Sequence, residues 1–154
     1  MTRFAAAPLT VILLALGLVA CGGGDAPSQE EFANSAEKIC AEQSKHLQDL
    51  GKATSPSEFA DQLDKAIDET RKSIDDLGAL ERPEGDAGKK ADEFVTAVET
   101  DIEKKGLPVL EDLRDGIKAN DEQAVQAAYK KLTALQTTNS SKLAKEIGAE
   151  SCAD

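Results

Sequence analysis

The chain has 154 residues, 31% charged and 3% aromatic, with 29 acidic against 18 basic side chains and a formal net charge of −11. That length suits one domain, and the acidic balance excludes a nucleic-acid partner, whose phosphates need clustered cations. One His (His46) and one Met (the first residue) remove most His-based catalysis and most haem ligation. In chain order, the first element is an apolar run from Leu9 to Val19, interrupted only by Thr10 and Gly17 and preceded by the lone charge of Arg3. A membrane-crossing helix needs about twenty apolar residues, so this shorter run fits the hydrophobic region of a secretory signal.

The run ends in Leu18-Val19-Ala20-Cys21. This tetrapeptide resembles the lipobox of bacterial lipoproteins, with a branched apolar residue first, small residues before the cysteine, and cysteine last. The resemblance implies a signal peptide over residues 1–20, transfer of a diacylglyceryl group with palmitate-type chains to the Cys21 thiol, and cleavage between Ala20 and Cys21. Two or three acyl chains hold a protein on a membrane where one binds reversibly. Residues 21–28, from Cys21 through Gly22-Gly23-Gly24 to Ser28, then form the anchor and a flexible tether, and residues 29–154 the folded domain. In lipoproteins of two-membrane bacteria, Asp after the cysteine is a retention signal. Gly22 stands there, so the implied address is the outer membrane, or the outer face of the cytoplasmic membrane in a one-membrane cell. Loss of Arg3 with the signal moves the net charge to about −12 and leaves no basic cluster for anionic lipids.

Helical periodicity fills the rest. The first helix carries Phe32, Ala36, Ile39, Cys40, Gln43, Leu47 and Leu50 on one face. The second carries Phe59, Leu63, Ala66, Ile67, Thr70, Ile74 and Leu77. Ser28 with Glu31 and Ser55 with Glu58 have the spacing of capping boxes, with Pro56 at the favoured first helical position. Gly51 and Gly78 are the expected stops. Ala79 to Gly88 reads as the longest internal loop. A third helix carries Phe94, Val95, Val98, Ile102, Val109, Leu110, Leu113 and Ile117, with a kink or break expected near Gly106-Leu107-Pro108. Asn120 is the expected cap of a fourth helix running through Val125, Ala128, Leu132, Leu135, Asn139, Leu143 and Ile147 to Gly148. The expected fold is all-α, an antiparallel up-down four-helix bundle. It pairs Phe32 with Phe94 at the membrane-proximal end and Phe59 with Tyr129 at the far end.

Cys40 and Cys152 remain once Cys21 is set aside, and the expected end of the fourth helix near the start of the first makes them a disulfide pair. The alternative is a buried free Cys40 and a frayed tail. His46 lies next to Ser44 and Lys45, but neighbouring helix positions point apart, so they form no relay. Glu-x-x-His pairs, Cys-x-x-Cys-His and a complete EF-hand loop are missing from the sequence, which implies no metal and no cofactor. Acidic residues such as Asp61, Asp68 and Asp101 precede Lys65, Lys72 and Lys105 by four, as helix-stabilising pairs do.

Three polar residues, Gln43, Thr70 and Asn139, fall on seams that otherwise carry apolar side chains. Buried polar groups need partners, which makes these the tentative contacts for a ligand or partner. The mature part is also similar in architecture to small exported helical-bundle lipoproteins of high-GC bacteria, a resemblance that implies no activity. The expected role is non-catalytic binding or scaffolding at the cell envelope, held to the membrane through Cys21 and facing an envelope protein partner. The alternative is a small-ligand carrier with a polar-lined site inside the bundle.

Overall fold

The computed structural model describes residues 26–135 and 138–153; the expected signal peptide and Cys21 lie outside them. Six α-helices make up the described chain: α1 (Gln29–Asp49), α2 (Pro56–Ala79), α3 (Gly85–Val98), α4 (Leu107–Lys118), α5 (Glu122–Ala134) and α6 (Thr138–Ile147). Short 3₁₀ turns follow α1 (Leu50–Lys52) and α6 (Glu150–Cys152), and a π-helical segment (Glu99–Gly106) joins α3 to α4. Among the described residues there is no strand, and no helix is long and apolar enough to cross a membrane.

The helix starts follow from local chemistry. At α1, Ser28 Oγ accepts the Glu31 amide at 3.2 Å and Glu31 Oε2 accepts the Ser28 amide at 2.8 Å, a closed capping box. At α2 the box is altered. Ser55 Oγ accepts the Glu58 amide, but the Glu58 carboxylate reaches back to the amide and hydroxyl of Thr54 at 2.8 and 2.7 Å. These contacts hold the Glu31 and Glu58 carboxyls below the ordinary range, because their hydrogen bonds favour the charged form.

Several stops and starts differ from the sequence expectation. Gly78 lies inside α2, which runs to Ala79 and is closed by Arg82. That guanidinium donates to the carbonyls of Leu77, Gly78 and Leu80, pairs with Asp92 at 3.0 Å, and lies 5.5 Å from the Phe32 ring centre. A cation with five donors satisfies the terminal carbonyls that a left-handed glycine would otherwise serve. The loop before α3 is therefore short, residues 80–84. It is pinned where a Cβ on Gly88 would lie 2.1 Å from the Pro83 carbonyl oxygen, so only glycine fits. Asn120 does not cap α5. It adopts φ +55° behind α4, its amide donates to Ile117, and the next amide, Asp121, donates to Gly116, which is a Schellman ending. Asp121 is the α5 cap, accepting the amides of Gln123 and Ala124. Gly148 ends α6 as expected, at φ +89°, with the amides of Gly148 and Ala149 returning to Lys145 and Ala144.

Pro108 neither breaks nor sharply ends the third helical stretch. In α geometry its ring would crowd the Lys104 carbonyl and leave it without a donor. The π segment avoids this by widening the turn, so the Leu107 amide donates to the Ile102 carbonyl five residues back and the chain stays helical into α4. The break comes instead in the expected fourth helix, where Leu135 turns extended (φ −66°, ψ 132°) between α5 and α6.

The main core gathers Phe32, Ile67, Ile74, Phe94, Val95 and Ile147, with Cys40 and Cys152 packed against it. A smaller one holds Leu63, Leu113 and Ala128 with Phe59 and Val125 beside them, and Leu110 touches both. Full burial of one such side chain is worth about 1.5–3 kcal/mol, and nine buried alanines, including Ala36, Ala66, Ala91 and Ala144, let the helices approach closely. Phe32 and Phe94 do share a core. Tyr129 does not join Phe59: it is 61% exposed.

Charge pairs tie the elements outside the core. Asp64 on α2 meets Arg114 (3.1 Å) and Lys118 on α4, Arg71 meets Glu111, and Lys131 on α5 meets Asp112 at 2.8 Å. Asp101 and Lys105 pair at 2.9 Å as their spacing implies, whereas Asp68 pairs with Arg71 and Lys72 with Asp76. Surface pairs of this kind contribute about 0–1 kcal/mol each.

Candidate functional site

A cavity of about 380 Å³ opens between α1, α2, the π segment, α6 and the C-terminal turn. One wall is built by the pairing of α1 with α2. Thr70, buried in the middle of α2, donates its hydroxyl to the Ala66 carbonyl at 2.7 Å and accepts the Gln43 amide nitrogen from α1. Ser73 donates to Gln43 Oε1 at 3.2 Å, so one glutamine cross-links two helices. Gln43 retains a second N–H and Ser73 retains oxygen lone pairs after these bonds are counted. Two of the three seam residues expected from the sequence, Gln43 and Thr70, thus meet on this wall.

The opposite wall is the π segment with its flanks: Val98, Asp101, Ile102, Gly106 and, on α4, Leu110. Widened helical turns of this type recur at functional sites, and here the widening faces a void. Asp101 is 5% exposed. One carboxylate oxygen accepts Lys105 Nζ at 2.9 Å, and the other accepts the backbone amide of Ser140, in the first turn of α6, at 3.2 Å. The Lys105 ammonium first, and the Ser140 hydrogen bonds after it, hold the Asp101 carboxyl below its ordinary value against the opposing effect of burial. An anion at a helix start also suits the helix dipole, so Asp101 acts as a cap supplied from another element.

Asn139 is not part of the site. It is exposed, and its neighbours Ser140 and Ser141 line the cavity instead. The interruption at Leu135 resets the helical phase, so that Ser140, Ala144 and Ile147 form the buried stripe of α6. The signal was the six-residue polar run Gln136 to Ser141, whose side chains compete for backbone hydrogen bonds and disfavour a continuous helix.

The remaining wall is covalent. Cys40 and Cys152 form a disulfide with Cα atoms 5.1 Å apart, and both line the cavity. Glu37 on α1 reinforces it by accepting the Ser151 amide at 2.9 Å and its hydroxyl.

The lining groups offer hydrogen-bond donors and acceptors and one carboxylate already paired with Lys105. His46 is exposed on α1, its ring 4.0 Å from Glu69, and it does not line the cavity. Among the described residues no group of three His, Cys, Asp or Glu side chains could hold a metal ion. A second, shallower cleft of about 580 Å³ lies beside Pro56, Phe59, Ile117 and Val125; on its polar margin Ser55 and Asp121 cap helices and Thr54 is bonded to Glu58, while Asn120, Glu122 and Gln126 complete the rim. No protein-family model, no curated protein and no solved structure matches this chain.

Proposed function

We propose that this chain is an extracytoplasmic lipoprotein, anchored through acylated Cys21, whose helical domain holds a small molecule in its interior cavity without catalysis. One observation carries the ligand-holding part: neutral polar groups from three helices, Gln43, Thr70, Ser73 and Ser140, converge on a cavity that eight aliphatic side chains also line. Small-molecule sites have this build, an apolar lining with a few placed polar groups in a space of about 300–1,000 Å³. The lipobox-like Leu18-Val19-Ala20-Cys21 carries the anchoring part.

The fold is read here as an up-down four-helix bundle in which α3, the π segment and α4 act as one long helix and α5 with α6 as its interrupted neighbour. The pairs Gln43 with Thr70, Asp64 with Lys118 and Asp112 with Lys131 support that reading, since each joins neighbours running in opposite chain directions.

Two measurements test the proposal. Cys21→Ser should move the protein from the membrane fraction to the soluble fraction and abolish incorporation of a radiolabelled palmitate; unchanged fractionation overturns the anchor. Native mass spectrometry of the protein extracted from its own membranes should retain a bound small mass. The bare polypeptide mass at every collision energy overturns the ligand-holding role.

A further inference from the structure

We infer that the cavity takes a neutral, single-chain amphiphile, its hydrogen-bonding end at Gln43, Thr70 and Ser73 and its hydrocarbon along Ile74, Val98 and Ile102. The inference rests on the ligand-holding reading and names the class of ligand.

Size suits a single short chain. About 380 Å³ lies at the small end of the range of small-molecule sites, and two acyl chains with their head group need more room than that. Polarity sets the shape. Eight aliphatic side chains, among them Leu77 and Leu110, line the space, and the bond-forming glutamine network sits on the α1–α2 wall. A ligand polar throughout would leave its own groups unpaired against the aliphatic side chains, which is costly. A pure hydrocarbon would leave the second Gln43 N–H unmatched.

Charge decides the head group. Among the described residues lining the cavity, Asp101 is the sole charged one, and each of its oxygens already has a partner, Lys105 Nζ or the Ser140 amide. A cationic head would find no uncompensated carboxylate. An anionic head would find no Lys, Arg or His among the described lining residues to pair with it. An ion moved from water without a partner loses several kcal/mol, whereas a hydroxyl, ester or amide needs only the donor of Gln43 and the acceptor of Ser73.

The test is a titration of 1-decanol, decanoate and decylammonium, each below its aggregation concentration, into the ¹⁵N-labelled mature chain carrying Cys21→Ser and an intact disulfide. The serine removes the lipid, and with it the need for a detergent that would compete. Amide shifts at Gln43, Thr70, Ser73 and Ile102 report the cavity. The expected result is that 1-decanol moves these amides and binds at least tenfold more tightly than either ion. Gln43→Leu should weaken 1-decanol about tenfold, the loss of one hydrogen bond, while Gln126→Leu, remote from the cavity, leaves it unchanged. Capture of the alcohol from solution and its extraction from phosphatidylcholine vesicles both support the proposal, and they tell a soluble ligand from a membrane-derived one. Equal or tighter binding of decanoate or decylammonium overturns the neutral class and leaves the ligand-holding reading intact. If none of the three moves these amides, the class is overturned. The native mass spectrum of the membrane-extracted protein then decides whether the cavity reading falls with it.

Discussion

Replacing Cys40 and Cys152 by alanine severs the bond that ties the C-terminal turn to α1 and closes one side of the cavity. The two cysteines are 112 residues apart, so the bond restrains most of the folded chain. In the chain-entropy treatment a loop of that length removes about 16 cal/mol/K from the unfolded state, about 4.8 kcal/mol at 25 °C. Unfolding entropy near the midpoint is about 2.1 cal/mol/K per residue, or about 0.26 kcal/mol/K over residues 29–153. The expected fall in Tm is thus about 18 °C, and about 11 °C if residual structure in the reduced chain lowers the effect to about 3 kcal/mol. Thermal unfolding followed by circular dichroism at 222 nm measures this on the double alanine variant. The same melt of the wild-type chain under a phosphine reductant checks that the fall comes from the bond and not from lost packing of Cys40. A fall of less than 4 °C by both routes refutes the reasoning, because the bond would then restrain a chain end that the fold does not depend on.

Gly88→Ala is expected to destabilise by about 1–3 kcal/mol through its clash with the Pro83 carbonyl. Gly78→Ala, with nothing within 4 Å of the new Cβ, is expected to stabilise by about 0.5–1 kcal/mol; urea melts of the pair separate close approach from helix propensity. Arg82→Ala should cost about 1–2 kcal/mol through the orphaned Gly78 and Leu80 carbonyls and the lost Phe32 contact. Arg82→Lys should recover less than half of it, since an ammonium lacks the planar fork. For Asp101 the folded carboxyl is held below its unfolded value, so its contribution is present above about pH 4 and fades as pH falls through the lower folded value. Asp101→Asn should cost about 1.5–3 kcal/mol at pH 7, and the gap to wild type should narrow below pH 4 in urea melts. Glu31 and Glu58 are lowered as well, so the variant keeps part of the acid-induced loss. Asn139→Leu, at an exposed site, should change stability by no more than about 0.5 kcal/mol.

Helix starts were the most legible features, because a cap is decided by four or five adjacent residues. Ser28 with Glu31 and Ser55 before Pro56 act where their local pattern places them, as Gly148 does at the end of α6. Features set by distant partners were harder to read. Gly78 has the composition of a stop, yet Arg82 supplies the carbonyl partners from beyond the helix end. Pro108 marks a disturbance correctly, but whether a helix breaks or widens depends on the packing around it. The Cys40–Cys152 pairing was readable from topology and parity together. At the site, Gln43 and Thr70 were visible as polar interruptions of apolar stripes. Ser140 was hidden because periodicity was carried unbroken past Leu135, where one lapse of helical geometry turns a different set of side chains inward. Asp101 looked like one more carboxylate in a helical ion pair, and its second role depends on α6 arriving beside it.

The length of the loop closed by Cys40 and Cys152 raises a question of timing. Synthesis at about 5–20 residues per second leaves the Cys40 thiol waiting roughly 6–22 s before its partner exists, given the 112 residues between them. Cys21 is a nearer rival, and in an unstructured chain the shorter Cys21–Cys40 loop is entropically favoured by about 1.6 kcal/mol, a roughly fourteenfold bias toward the wrong pair. Attachment of a diacylglyceryl group to the Cys21 sulfur as a thioether, on the proposed reading, removes that rival from the oxidation chemistry. The anchor would then serve a second purpose as a protecting group, leaving Cys40 one thiol to find.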